Sequence, residues 1–330
     1  MPAPLTRRRF LTASAAGAVA AAAGYSSLAP PRKALVAVTL DLEMSAEYPR
    51  RGMTEWNYRK GDLDADTRRY AVKAAEVVSA RGGVVHFFAV GQTLEQPDVG
   101  WLKELAAAGH PVGNHTYDHV YVKAKTPEEV QFKFRRAPWL IRGKPVAQVI
   151  EENIAMTTAA LKERCGITAA GFRTPGGFNN GLKDRPDLQA MLLRQGFTWV
   201  SSLYPAHESG TPKAEPGEAV YADILRAQTD ARPFTYPSGL VEVPMSPVSD
   251  VTAFRAHHWK LAWFLKAVRL AVERADQTGG VFDFLAHPSC LVVEDPGFEV
   301  VKLICDLVKD AGDRAALTGL GAFADRARAS

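Results

Sequence analysis

The chain is poor in cysteine. Three thiols stand among 330 residues, at Cys165, Cys290 and Cys305. An odd number with no close spacing excludes a disulfide framework and a thiolate metal site. Small buried side chains are the expected role of all three. Net charge is also scarce: 40 Lys and Arg against 36 Asp and Glu leave +4. Arg7, Arg8 and Arg9 supply three of those charges, so the rest of the chain carries only +1. No basic patch remains on which nucleic-acid binding could rest. No Gly-x-Gly-x-x-Gly or Gly-Lys-Ser/Thr loop follows an apolar run, which removes support for a nucleotide fold. No apolar run reaches the roughly 20 residues of a transmembrane helix. Internal repeats and linkers are missing too. What is present is an ordinary globular balance, 47% hydrophobic and 23% charged, which excludes wholesale disorder and a fibrous repeat.

The first 29 residues read as an address. Thr6-Arg7-Arg8-Arg9-Phe10-Leu11 precedes an Ala-rich run from Ala13 to Ala23, and Ser27-Leu28-Ala29 offers a small-residue cleavage site before Pro30. A charged segment, a short apolar segment and small residues make a secretory signal. The Arg pair followed by x-Phe-Leu resembles a twin-arginine export signal. The expectation is a signal over residues 1–29, one domain over 30–330, and a periplasmic or secreted protein without a membrane anchor.

The rest alternates strand and helix. Residues 34–40, 84–90, 111–114, 168–173, 197–202, 240–244, 281–286 and 315–320 read as strands. Helices are expected near 66–81, 98–108, 145–165, 186–195, 259–276 and 298–311. Such repeats give parallel strands with helices outside. Such a sheet closes as a barrel or opens as a doubly wound sheet, and about seven evenly spread parallel strands favour an α/β barrel, complete or incomplete. Inserts near 44–64, 120–144 and 205–239 interrupt the pattern, and the last reads as a long ordered loop.

Chemistry in a (β/α) barrel gathers at the C-terminal ends of strands. Asp41-Leu42-Glu43 follows the first strand, with two carboxylates at i and i+2 pointing the same way. His115-Thr116-Tyr117-Asp118-His119 follows the third, and its two His share a face if the segment is helical. Arg173-Thr174-Pro175-Gly176 follows the fourth, and His287 a late one. Two His and one carboxylate form a facial set open to water and substrate. The second carboxylate could serve as base, an Arg beside it would orient it, and a further His could protonate a leaving group. That is the outfit of a metal-assisted hydrolase for an amide or ester.

The ordered set Thr39-Leu40-Asp41-Leu42-Glu43, His115-Thr116-Tyr117-Asp118-His119, Arg173-Thr174-Pro175-Gly176 and Leu285-Ala286-His287 resembles the polysaccharide deacetylases of carbohydrate esterase family 4. The resemblance covers about residues 34–290. It implies a distorted, incomplete (β/α) barrel and one divalent ion, usually zinc, with cobalt, nickel or manganese as alternatives. It implies His115, His119 and Glu43 as ligands, Asp41 as base, Arg173 as its orienting partner and His287 as acid. The Gly176 N–H would help hold the oxyanion. The implied substrate is an N- or O-acetylated polysaccharide. Two departures stand out. Leu42 replaces the second of two adjacent Asp, so Asp41 and Glu43 could exchange roles. The Asp and Trp that tune the acid His are not evident near Trp199. Two alternatives keep the same site: hydrolysis of a small cyclic amide or ureide, and glycan binding without catalysis.

Overall fold

The computed structural model describes Met1 and residues 32–45, 48 and 60–329. The export signal expected over residues 1–29 lies outside these residues, Met1 apart, as does most of the first insert.

The elements run β1 (Ala34–Leu42), α1 (Ala65–Ser79), β2 (Val85–Ala89), α2 (Gly100–Ala107) and β3 (Val112–Asn114). Next come α3 (Pro127–Val130), α4 (Phe132–Arg136), α5 (Val146–Cys165), β4 (Phe172–Phe178), α6 (Pro186–Arg194) and β5 (Trp199–Leu203). Then follow α7 (Glu218–Gln228), β6 (Phe234–Thr235), β7 (Val241–Glu242), α8 (Leu261–Thr278) and β8 (Val281–Ala286). The chain closes with α9 (Pro288–Glu294), α10 (Glu299–Ala311), β9 (Ala315–Leu317) and α11 (Leu320–Arg328). The strands lie in the order β6-β7-β5-β4-β3-β2-β1-β8, and β9 also pairs with β1. Every pairing is parallel except β6 with β7. One edge of β1 is shared: Ala34–Val36 pair with β9, and Val38–Leu42 with β2. Among the described residues β6 and β8 do not pair, so the sheet curls into an incomplete (β/α) barrel.

Strand parity divides the molecule. In β1, Ala34, Val36, Val38, Leu40 and Leu42 face the surrounding helices in one apolar core. Each buried aliphatic there contributes about 1.5–3 kcal/mol. The odd residues point inward. Ala37, with Phe88 of β2, Trp199 of β5 and Val281 of β8, packs against Leu320, Phe323 and Ala324 of α11. That helix plugs the lower end of the barrel. Further along β1 the same inward face carries Thr39 and Asp41, then Glu43 just past the strand. In β8 it carries Asp283, while Phe282, Phe284 and Ala286 join the outer core. The interior is thus apolar at one end and polar at the other, from period-2 alternation alone.

Several expected boundaries shift. Helix α1 begins a residue early, capped by Asp64, whose Oδ1 accepts from the Thr67 N–H at 2.7 Å. The fourth strand begins at Phe172 rather than 168, because residues 168–171 bridge from α5 without pairing along β5. The insert over 205–239 holds the helix α7, whose Tyr221 and Ile224 pack into the core; its flanking Pro and charge masked that periodicity. The last strand is only three residues long, and its sequel is helical. The three thiols are free, Cys290 and Cys305 buried and Cys165 half-buried. Among the described residues no helix is long and apolar enough to cross a membrane.

Candidate active site

A cavity of about 320 Å³ opens at the polar end of the barrel, lined by Asp41, Glu43, His115, His119, Gly176 and His287, among others. Of the residues given a chemical role in the sequence, Arg173 alone is not in this lining. Arg173 is fully buried. Its guanidinium lies 4.3 Å from the Phe88 ring centroid. It donates to Thr39 Oγ1 (2.8 Å), Asp41 Oδ1 (3.0 Å), Asp283 Oδ2 (2.6 Å) and Ser201 Oγ (3.3 Å). A buried guanidinium needs this much partnering. The Asp41 carboxylate is thereby fixed through Oδ1, and Oδ2 faces the cavity, 3.7 Å from His115 Nε2 and 4.0 Å from His287 Nε2. Burial raises the Asp283 carboxyl to about 6, against the opposing pull of Arg173.

The segment over His115–His119 is an irregular loop rather than the helical turn that would set the two His on one face. Thr116 and His119 both take positive φ, 59° and 56°. Side chains pin this strained path. Asn114 Oδ1 accepts from the Thr116 N–H, Thr116 Oγ1 from Val120 and Asn153 Oδ1 from Asp118. Asp118 accepts from Gln92 and is paired with Lys133, so it ties the loop and faces away from the ligands. The loop still brings both imidazoles to one point. His115 Nδ1 lies 2.9 Å from the Arg173 carbonyl, which takes the ring proton and leaves Nε2 a free lone pair toward the cavity.

Glu43 joins them. Ligand atoms of Glu43, His115 and His119 all lie within 4.8 Å of one another. Glu43 Oε2 is 2.6 Å from His119 Nε2 and 3.6 Å from His115 Nε2, yet this buried oxygen has no hydrogen bond of proper geometry. Atoms that crowd without bonding are aimed at a common centre. Two imidazoles and a carboxylate fit a divalent ion. Burial opposes charge on Glu43, but His119 and Lys60 hold its carboxyl well below the usual range. Burial pushes His119 down to about 4, with Glu43 opposing. Ionised carboxylate and neutral imidazole are the states that bind metal.

Four contributors escaped the motifs. Lys60, at the end of the first insert, is buried and donates to Glu43 Oε1 at 2.5 Å. Asp250 receives His287 twice: Oδ2 accepts from the backbone N–H at 2.7 Å, and Oδ1 lies 2.9 Å from Nδ1. It supplies the tuning acid that seemed missing near Trp199, and Trp199 itself is core. Burial works against charge on His287, but Asp250 foremost raises its pKa above the ordinary value. Asp283 and Arg255 complete the set. Only Asp283 left a signal, as the single acid in Val281–Ala286, on the face that leads to His287. Gly176 has φ 76° in a stretch where the β4–β5 register breaks between Arg173 and Phe178, and that bulge carries its backbone to the cavity mouth.

Residues 61–185 match the family model for polysaccharide deacetylase. Over this segment the chain is similar to the polysaccharide deacetylase family. The segment holds His115, His119, Arg173 and Gly176, while Asp41, Glu43 and His287 lie outside it. A crystal structure from Mycobacterium smegmatis, assigned as a polysaccharide deacetylase, is similar at TM-score 0.58 and 18% identity, covering 91% of this chain and 92% of that one. A Parabacteroides distasonis protein assigned as a glycoside hydrolase/deacetylase matches at TM-score 0.50 and 10% identity, over 91% and 72% of the two chains. At these identities the likeness is one of fold. No curated protein matches the chain.

Proposed function

We propose that this chain is a polysaccharide deacetylase, a metal-dependent hydrolase that removes N- or O-linked acetyl groups from a polysaccharide. The observation that carries this reading is the convergence of His115, His119 and Glu43 between two held groups, Asp41 on Arg173 and His287 on Asp250. A divalent ion held by His115, His119 and Glu43, zinc first and cobalt, nickel or manganese as alternatives, would supply Lewis acidity toward the acyl oxygen and acidify a water.

Asp41 accepts the proton of the attacking water through Oδ2, its free oxygen. Arg173 holds the other oxygen and sets the direction of that transfer. Water oxygen adds to the acyl carbon. The Gly176 N–H at the mouth is available to the developing oxyanion. His287 then gives its Nε2 proton to the departing amine nitrogen or alkoxide oxygen as the C–N or C–O bond breaks. Acetate and the free amine or alcohol leave. Asp250 keeps the opposite nitrogen protonated and the ring oriented. Export through the expected twin-arginine signal would place the enzyme with polymers outside the cytoplasm.

The test is acetate release by metal-loaded protein from chitooligosaccharides, peptidoglycan and acetylated xylan, and ring opening of allantoin, with His119→Ala as control. Release from a glycan that vanishes in the control supports the reading. Ring opening of allantoin alone, to the ureido acid, would replace it with the small-amide alternative. Glycan binding without any turnover would replace it with the binding alternative.

A further inference from the structure

One wall of the cavity has a cation that the reaction above does not use. Arg255 lines the same cavity as the metal-ligating residues and is half-buried. Its guanidinium forms no hydrogen bond or ion pair among the described residues. The two cavity acids are committed elsewhere, Asp41 to Arg173 and Glu43 to Lys60 and the imidazoles. Arg255 also lies near enough to Lys60 for the two like charges to repel. A half-buried cation facing a second cation, with no acceptor, is costly unless a ligand supplies one.

The backbone that delivers Arg255 is unusual. Val248 is β-branched yet has φ 67°, a conformation that such side chains rarely adopt. Residues Val251–Ala256 then form one turn of π-helix, a geometry frequent at functional sites. Asp250 opens this turn by accepting from the Val251 N–H at 2.8 Å. Ser249 is pinned by Tyr204 Oη at 3.1 Å and Thr252 Oγ1 at 3.0 Å. A single strained segment therefore sets the partner of the acid His287 and, one turn later, the free guanidinium. The planar fork of Arg matches a carboxylate in two parallel hydrogen bonds.

We infer that Arg255 is a specificity residue for a carboxylate borne by the acetylated sugar, so that the preferred substrate is an acidic glycan rather than a neutral one. This rests on the deacetylase reading. The test compares metal-loaded wild type, R255Q and R255K on chitotetraose and on 6-O-carboxymethyl chitotetraose. Two quantities are read. One is the ratio of kcat/KM for acetate release. The other is the ratio of binding constants measured by calorimetry in a D41N background, where turnover is blocked. Wild type should favour the carboxymethylated sugar. Both ratios should fall about tenfold or more in R255Q, R255K should keep part of the preference, and 0.5 M salt should narrow it. Equal binding ratios in D41N and D41N/R255Q, or a preference for the neutral sugar, would overturn the inference. Absence of acetate release from both sugars would count against the deacetylase reading alone, since the binding ratios still decide the role of Arg255.

Discussion

Asp250→Asn should disable the proton donor while leaving the metal ligands in place. In the folded protein Asp250 Oδ1 sits 2.9 Å from His287 Nδ1 and Oδ2 2.7 Å from the His287 backbone nitrogen. Asn keeps one acceptor, loses the charge and turns an amide N–H toward a backbone N–H. A hydrogen bond to a charged group is worth about 1.5–3 kcal/mol. The His287 pKa should therefore fall. The sign follows from the role. The working form is protonated, so activity declines as pH rises through the His287 pKa. Removing the group that raises this pKa moves the alkaline limb of the kcat profile to lower pH. The effect must also depend on the leaving group. An amine needs the proton and p-nitrophenolate does not, so the loss should be about 10²–10⁴-fold for N-acetyl glycan and small for p-nitrophenyl acetate. The assay is the pair of pH profiles on these two substrates, with near-UV circular dichroism confirming the fold. An unmoved alkaline limb, or equal losses on amide and aryl ester, would refute the assignment of His287 as acid and of Asp250 as its partner.

Other outcomes follow from the same geometry. Asp41→Asn should lower kcat at least a hundredfold with metal content unchanged by elemental analysis; loss of the metal as well would show Asp41 and Glu43 to have exchanged roles. Glu43→Gln should bind metal at least tenfold more weakly, and chelator dialysis should abolish acetate release until zinc or cobalt is restored; full activity after exhaustive chelation would contradict a metal-dependent reaction. Asp283 titrates near 6 in the folded state because of burial, well above its unfolded value. Its contribution to stability is then complete below about pH 4 and lost as pH rises through 6. Urea unfolding should show wild type gaining on Asp283→Asn by about 2–3 kcal/mol between pH 7 and pH 4; an identical difference at both pH values would place that proton elsewhere.

Much of the site was legible because parity writes it into the chain. Asp41 and Glu43 continue the inward face of β1, and His287 continues that of β8, so motifs at strand ends fall on the cavity without further information. The His115–His119 spacing was legible as a pair but not as a shape, since a loop with two positive-φ residues replaces the helix turn that i and i+4 suggested. Lys60, Asp250 and Arg255 were not legible. Each sits in a segment without periodicity, and each matters only through a partner or a cavity that the fold brings to it.

Spacing along one chain is enough for the alternating α/β architecture, the inward and outward faces of the strands and the ordered motif set. The tertiary structure alone decided which group holds which. Arg173 meets Asp283 across 110 residues and His287 meets Asp250 across 37. Such pairings are set by strand order and by buried charges that must find partners, which no local pattern encodes.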